Sequence, residues 1–258
     1  MNSREEVDNF VRNGHKQYLS HLSIDPVIFG YHDQQLKILL LKWSGHNGWG
    51  LPGGFIRRNE PLSQAANRVL QERTGLDNVF LQQFYTFGDS PYRLQEQSAR
   101  ELTKKTGHPI EHDSWLFERT LSISYFALVD YSKVEVTTDF FTEDYQWCDA
   151  GTTPPLLFDQ NEVVDKALAA LRRQLYHEPI GYNLLPDKFT LPEIHALYET
   201  ILGKKLDQRN FIKKLVTLGL VRKLDEQRSI GPHRSPFLYR FDKETYEAAL
   251  EQGIVQAY

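Results

Sequence analysis

The 258-residue sequence is short of several things that would place it quickly. It has one cysteine, Cys148. A lone thiol cannot close an intramolecular disulfide, so a disulfide-stapled secreted scaffold is excluded. Long apolar runs are also missing. The longest in the first half is Ile38 to Leu41, against the roughly 20 residues a bilayer-spanning helix needs, so a membrane partner is not expected. Around Arg4, Glu5, Glu6 and Asp8 no apolar stretch resembles a signal peptide, and a reducing cytoplasm is the expected location. Repeats and low-complexity tracts are not visible. Neither charge sign dominates: 30 Lys and Arg against 34 Asp and Glu leave a net charge of -4, which taken whole gives no hint of nucleic acid. With 40% apolar residues, the chain can bury a sizeable core. At roughly 150 residues per domain, its length favours two modest domains.

Splitting the charge is more informative than summing it. Pro179, Ile180, Gly181 and Tyr182 read as a linker. Beyond it lie 12 basic and 10 acidic residues, before it 18 and 24, so the halves carry +2 and -6. Residues 203 to 240 hold ten Lys and Arg against Asp207, Asp225 and Glu226, a net +7 in 38 residues. The sign difference points to an acidic partner for the C-terminal part, with a solvated charged face as the plain alternative.

That C-terminal part has the pattern of a helix-turn-helix. Thr190 and Glu193 form a capping box, which predicts a helix start. Ile194, Leu197, Tyr198, Ile201 and Leu202 then recur at i, i+3, i+4, i+7 and i+8, and Gly203 is placed to end the helix in a left-handed cap. Asp207 can cap a second helix with Phe211, Leu215 and Leu218 inward and Ile212 at the edge. Its opposite side gathers Arg209, Asn210, Lys213 and Thr217, flanked by Lys214, and Lys204 and Lys205 lie in the turn. A second helix of this kind suits the DNA major groove, where Arg and Asn read base edges and Lys pairs with phosphates. Two extended runs, Leu220 to Leu224 and Phe237 to Phe241, bracket Arg228, Gly231, Pro232, His233, Arg234 and Pro236, a wing with a basic tip. The bland alternative is a domain that dimerises the chain or contacts another protein.

The N-terminal part opens with two expected strands, residues 24 to 29 and 36 to 42, joined by a turn at Tyr31 to Gln35. Trp49, Gly50, Leu51, Pro52, Gly53 and Gly54 follow. Five residues then separate Gly54 from Glu60, seven more lead to Arg68, and the run continues Val69, Leu70, Gln71, Glu72, Arg73, Thr74, Gly75, Leu76. This closely resembles the Nudix box, a loop-helix-loop of pattern G, x5, E, x7, R-E-U-x-E-E-x-G-U with U apolar. A helix is expected independently: Asn59 can cap it, Pro61 sits in its first turn, and Leu62, Ala65, Ala66, Val69 and Leu70 form a stripe ended by Gly75.

In Nudix hydrolases the three box carboxylates at i, i+3 and i+4 converge on Mg²⁺ bound to a diphosphate. Here those positions hold Val69, Glu72 and Arg73, so the local formal charge rises from -3 to 0. Mg²⁺ demands oxygen donors and anionic charge, and a guanidinium repels it. Loss of metal-dependent hydrolysis is therefore expected, with no catalytic residue, no metal and no cofactor. Glu60 and Arg68 read better as a helix-bracing ion pair. Glu96, Glu101 or Glu111 could replace the lost ligands in principle, but nothing in their spacing argues for it.

A Nudix segment followed by a winged helix resembles the NrtR-type family of Nudix transcription regulators over most of the chain. Phe87, Gly88, Asp89; Ser122, Ile123, Ser124, Tyr125; Leu157, Phe158, Asp159; the run Leu184 to Leu191; Leu206 to Phe211; and Leu238 to Phe241 carry the resemblance. It implies an α+β chain: a Nudix α/β/α sandwich over residues 1–178, interrupted by an insertion at about 90–118, then a winged helix-turn-helix domain over 179–258. It also implies a homodimer that binds a small effector in its Nudix domains and a double-stranded DNA operator with its two winged helices. Relatives with fairly intact boxes are associated with ADP-ribose and NAD metabolism, and relatives with eroded boxes include regulators of pentose utilisation that sense arabinose or xylose; Arg57, Arg58 and Arg73 could equally receive phosphates. The eroded box tilts the expectation toward a pentose, with Arg57, Arg58, Glu72 and Arg73 as candidate effector contacts. An active hydrolase of a nucleoside diphosphate derivative and a protein-binding adaptor are the competing readings. For the insertion, helix-compatible from Arg93 to Lys105 and apolar at Trp115, Leu116 and Phe117, a lid, a surface embellishment and a dimer contact are all open. Residues Asn161 to Tyr176 should form an amphipathic helix with Val164, Leu168, Leu171 and Leu175 inward, placed to couple the domains.

Overall fold

A computed structural model of the chain describes residues 3–44, 48–77, 79–89, 100, 103–104, 107, 110, 114–139, 141–177, 184–229 and 235–252. The chain divides into two compact units, one of Met1–Gly30 and Lys37–Ala167, the other of Tyr31–Leu36 and Leu168–Tyr258.

The first unit begins with α1 (Arg4–Gln17), which the sequence reading did not anticipate. Its start was nevertheless written locally: the Ser3 hydroxyl accepts from Glu6 N at 3.1 Å while the Glu6 carboxylate accepts from Ser3 N at 3.2 Å, a full capping box. Val7, Phe10 and Gly14 form its buried side.

Strand β1 (Tyr18–His32) turns into β2 (Gln35–Trp43), close to the expected pair but longer. Asp33 and Gln34 both take positive φ, as a two-residue turn matched to strand twist requires. Short strands β3 (Trp49–Gly50) and β4 (Gly54–Arg57) follow, then α2 (Leu62–Thr74), β5 (Leu81–Phe87), β6 (Leu121–Asp130), β7 (Thr142–Asp149) and α3 (Gln160–Gln174). The sheet runs β3-β2-β1-β6-β5, with β4 also paired to β1 and β7 to β2. In β1, Ile24 packs with Ala65, Ala66 and Val69 of α2, and Ile28 with Leu70. Val27 and Phe29 point the other way by the two-residue period and are equally buried, so both faces of the strand are covered.

Helix α2 begins two residues later than expected. Its N-cap is Pro61, which offers no side-chain hydrogen bond, and Asn59 does not cap it. Pro61 fixes an extended approach into the first turn, and Glu60 is occupied elsewhere. Gly75, at φ 69°, ends the helix in the expected left-handed cap. In α3 the four predicted inward residues, Val164, Leu168, Leu171 and Leu175, are all buried. Within the insertion, Trp115–Phe117 forms a 3-10 turn, and Trp115 and Leu116 pack with Phe10 of α1. The expected helix from Arg93 to Lys105 lies largely outside the described residues, as do Glu96, Glu101 and Glu111.

The second unit contains α4 (Leu191–Leu202), α5 (Gln208–Thr217), the hairpin β8 (Val221–Gln227) with β9 (Phe237–Phe241), and α6 (Lys243–Gln252). Both predicted caps are present: the Thr190–Glu193 box at α4 and Asp207 accepting from Asn210 N at 2.8 Å at α5. Phe189 exchanges two backbone hydrogen bonds with Tyr239, adding a third extended segment beside the hairpin. Phe189, Ile194, Leu197, Tyr198, Ile201, Phe211 and Leu215 form the core. Leu218, expected inward, is exposed instead. It is the C-cap residue of α5, where the helical period that would have turned it inward has ended, and Leu220 takes the buried position. Helix α6 was also unread, although Asp242 caps it by accepting from Thr245 N at 3.1 Å. Among the described residues no helix is long and apolar enough to cross a membrane.

Candidate functional site

The box helix α2 and the loop before it line one side of a cavity of about 550 Å³ in the first unit. Glycines permit this geometry. A Cβ on Gly54 would meet Val69 Cγ2 at 2.9 Å, and one on Gly53 would run into Asp25 Oδ1.

Arg68 is the structural centre of the box. Its Nη2 and Nε donate to both oxygens of Glu60 at 2.6 and 3.0 Å, Nη2 also donates to Phe55 O at 2.8 Å, and Nη1 reaches Glu72 at 3.2 Å. Glu60 accepts in addition from Arg57 N at 2.6 Å. The bidentate hydrogen bonding to Arg68 holds the Glu60 carboxyl below its ordinary pKa. Burial of the Arg68 guanidinium works against its charge, and the hydrogen bonds and charges of Glu60 and Glu72 outweigh it, raising its pKa. Glu60 and Arg68 thus form the expected bracing pair, tying the loop at residues 55–60 to the helix.

The three positions of the metal triad have separated. Val69 is buried in the sheet-facing cluster with Ile24, Ile56 and Tyr125. Glu72 lies half-exposed between Arg68 and Arg57, the latter 3.7 Å away. Arg73 is largely buried; its Nη1 lies 3.0 Å from Asp139 Oδ2 and its Nη2 donates to Gly53 O at 3.2 Å. Such a set does not fit Mg²⁺: one position is hydrocarbon, one carboxylate already faces two guanidinium groups, and the third is itself a cation.

Of the four candidate effector residues, Arg57, Glu72 and Arg73 line the cavity. Arg58 does not; its Nε and Nη2 donate to the His15 carbonyl at 3.1 and 2.9 Å, at the end of α1. The aromatic part of the lining was invisible to sequence reasoning. Phe10 and Tyr18 from the N-terminal segment, Phe55 after the box glycines, Leu116 from the insertion and Phe141 before β7 border the same cavity. Phe55 and Trp115 stand 4.8 Å apart between ring centres, and Phe10 meets Tyr18, Trp115 and Phe141 edge-on. Residues so far apart in sequence leave no spacing signal; only the capping box at Ser3 could have flagged that the N-terminus is ordered. Asp25, Trp43, Ser44 and Asp139 line the cavity as well.

In the second unit, Glu199 fixes the turn between α4 and α5 by accepting from Leu206 N at 2.9 Å, which lowers its pKa. Arg209, Asn210, Lys213 and Thr217 are all exposed on α5 and Lys214 is partly so. Neither Arg209 nor Lys213 has a hydrogen-bond or ion-pair partner among the described residues. Lys204 lies over the Tyr176 ring at 5.1 Å, and Lys205 pairs with Glu199 at 3.1 Å. Arg228 departs from expectation: it donates to Glu193 Oε1 at 2.6 Å and to Lys188 O at 2.8 Å, which makes it a brace where the wing loop leaves β8. His233 and Arg234, with Gly231 and Pro232, lie outside the described residues.

Two family models match this chain, the NUDIX domain over residues 21–171 and the NrtR DNA-binding winged helix domain over residues 181–241. The chain belongs to the NUDIX family. It is an NrtR-type Nudix regulator, with a Nudix domain followed by a DNA-binding winged helix. The ADPR responsive transcriptional repressor NtrR of Acinetobacter baylyi is 27% identical over 233 residues, covering 88% of this chain and 84% of that one. The crystal structure of Shewanella oneidensis NrtR complexed with a 27mer DNA is 28% identical, covers 88% of this chain and 95% of that chain, and superimposes with a TM-score of 0.66. A MutT/nudix family protein from Enterococcus faecalis, 22% identical over 94% of this chain and 100% of its own with a TM-score of 0.60, shares the fold. The expected pentose effector finds no support here. The Acinetobacter repressor is, by its name, responsive to ADPR.

Proposed function

We propose that this NrtR-type regulator is a homodimeric, cytoplasmic transcriptional repressor whose Nudix domain binds ADP-ribose and whose winged helices bind a DNA operator. One observation carries the reading: the cavity survives while the metal ligand set does not. Arg57 and Arg73 in the cavity lining supply donors for a diphosphate, and the aromatic part of the lining suits a nucleobase. With hydrocarbon at residue 69 and a guanidinium at residue 73, the site is built to hold such a ligand without cleaving it. The response to ADPR of the Acinetobacter repressor supports that choice of effector.

The exposed basic face of α5 supports DNA contact by Arg209, Asn210, Lys213 and Thr217, with Lys204, Lys205 and Lys214 at its margins; His233 and Arg234 remain candidate contacts from the sequence alone. Two such helices in a dimer would sit about 34 Å apart to enter successive major grooves. The effector acts by preferring one arrangement of the dimer over another. With a boundary near Pro179, the acidic part senses and the basic part reads.

A gel shift of the chain on its own upstream DNA, with ADP-ribose, arabinose and xylose added in turn, tests this. ADP-ribose is expected to change the apparent affinity and the pentoses to leave it unchanged; the reverse result would sink the assignment. Incubation with ADP-ribose and Mg²⁺ or Mn²⁺ is expected to give no turnover.

A further inference from the structure

The misfit between the box and Mg²⁺ has a positive side. We infer that the Arg73 guanidinium is a resident cation that takes over the metal's task, bridging a carboxylate of the protein and the diphosphate of the ligand, so that effector binding needs no metal. This rests on the proposed effector site and specifies its chemistry.

A metal in such a site would join protein carboxylate to phosphate. Arg73 already holds the first half of that bridge, with Nη1 3.0 Å from Asp139 Oδ2. One of the two Nη2 N–H groups donates to Gly53 O at 3.2 Å, which leaves further donors on the fork. The Nε–H is buried and has no hydrogen-bond partner among the described residues. A guanidinium presents its donors as a rigid fork, so one edge can serve Asp139 while another serves a phosphate oxygen. Two residues that line the same cavity each carry a buried polar atom that also lacks a partner among the described residues, Trp43 Nε1 and Ser44 Oγ. Buried donors without acceptors are costly, and their gathering on one cavity marks where an acceptor-rich ligand belongs. Asp139 in turn organises the segment that carries the aromatic wall, accepting from Phe141 N at 3.0 Å and from the Thr142 hydroxyl at 2.9 Å. The bridge therefore links the phosphate end of the site to the end where Phe141 stands.

Isothermal titration of the full chain tests the inference, using inorganic pyrophosphate and ADP-ribose separately, each in excess EDTA and in Mg²⁺. Equal affinity in EDTA and Mg²⁺ is expected, with at least a tenfold loss in Arg73→Ala and a partial recovery in Arg73→Lys, which keeps the charge but loses the fork. Binding only in Mg²⁺ would overturn the resident-cation role and leave the effector reading standing. Pyrophosphate binding in EDTA without ADP-ribose binding would do the opposite. Failure of both ligands in both conditions overturns both, and undiminished pyrophosphate binding by Arg73→Ala overturns the role of Arg73. Should Arg73→Ala not fold, the wild-type comparison in EDTA and the Arg73→Lys variant decide.

Discussion

Arg228, where the wing loop leaves β8, donates to Glu193 Oε1 at 2.6 Å, and the other oxygen of that carboxylate accepts from Thr190 N at 2.6 Å. One side chain thus caps α4 and anchors the hairpin. Both partners remain about a third exposed, 35% and 38%, so Arg228→Ala should cost about 1 kcal/mol, the low end for a charge-assisted hydrogen bond. Because the Arg228 charge is already matched, DNA binding should keep its salt dependence while the melting temperature falls. A shallower salt slope in this variant would return Arg228 to the DNA interface.

Arg209 and Lys213 are the opposite case, exposed cations with no partner among the described residues. The double variant Arg209→Ala, Lys213→Ala should leave stability within about 0.5 kcal/mol of the parent. Operator affinity should fall, and the slope of log K against log salt should lessen by roughly 1 to 2 as phosphate contacts are lost. Unchanged binding would show that α5 is not the reading helix.

Acid should loosen the effector domain through Glu60. Hydrogen bonding to Arg68 lowers its pKa in the folded chain. The stabilisation is therefore complete above the unfolded value of about 4.3 and is lost as pH falls through the lower folded value. Glu60→Gln should be less stable than the parent at neutral pH, with the gap closing below about pH 4. Thermal melts across pH 2.5 to 7 would show this, and a constant gap would remove Glu60 as the titrating group.

Cys148 should be nearly inert. Burial, and then the neighbouring Asp149, push its thiol up to about 11. At pH 8 its thiolate population is roughly a hundredfold below that of a free cysteine, and alkylation should slow in proportion. Labelling in the native and the urea-unfolded chain would measure the ratio; equal rates would contradict the buried environment.

Much of this protein was legible in its sequence because the signals are local. A capping residue and the amide it satisfies are three positions apart, as at Thr190 and Glu193 or Asp207 and Asn210, and apolar residues of one helix repeat every three or four. The box spacing from Gly54 to Gly75 is also local, so the replacement of two of its three carboxylates by Val69 and Arg73 could be read directly. Even α1 and α6 carried such signals at Ser3 and Asp242. Local rules weakened where a helix ended, at Leu218, and where a proline overrode a capping side chain, at Asn59. What only the tertiary structure decided is which distant residues share a surface. Phe10, Phe55, Leu116 and Phe141 border one cavity because the sheet brings their segments together, and no period in the sequence encodes that meeting. The same holds for the fate of each cation. Arg58, Arg73, Arg209 and Arg228 are chemically alike in sequence, but burial and the nearest carboxylate or carbonyl make Arg58 and Arg228 braces, Arg73 a paired donor inside the cavity, and leave Arg209 free for another molecule.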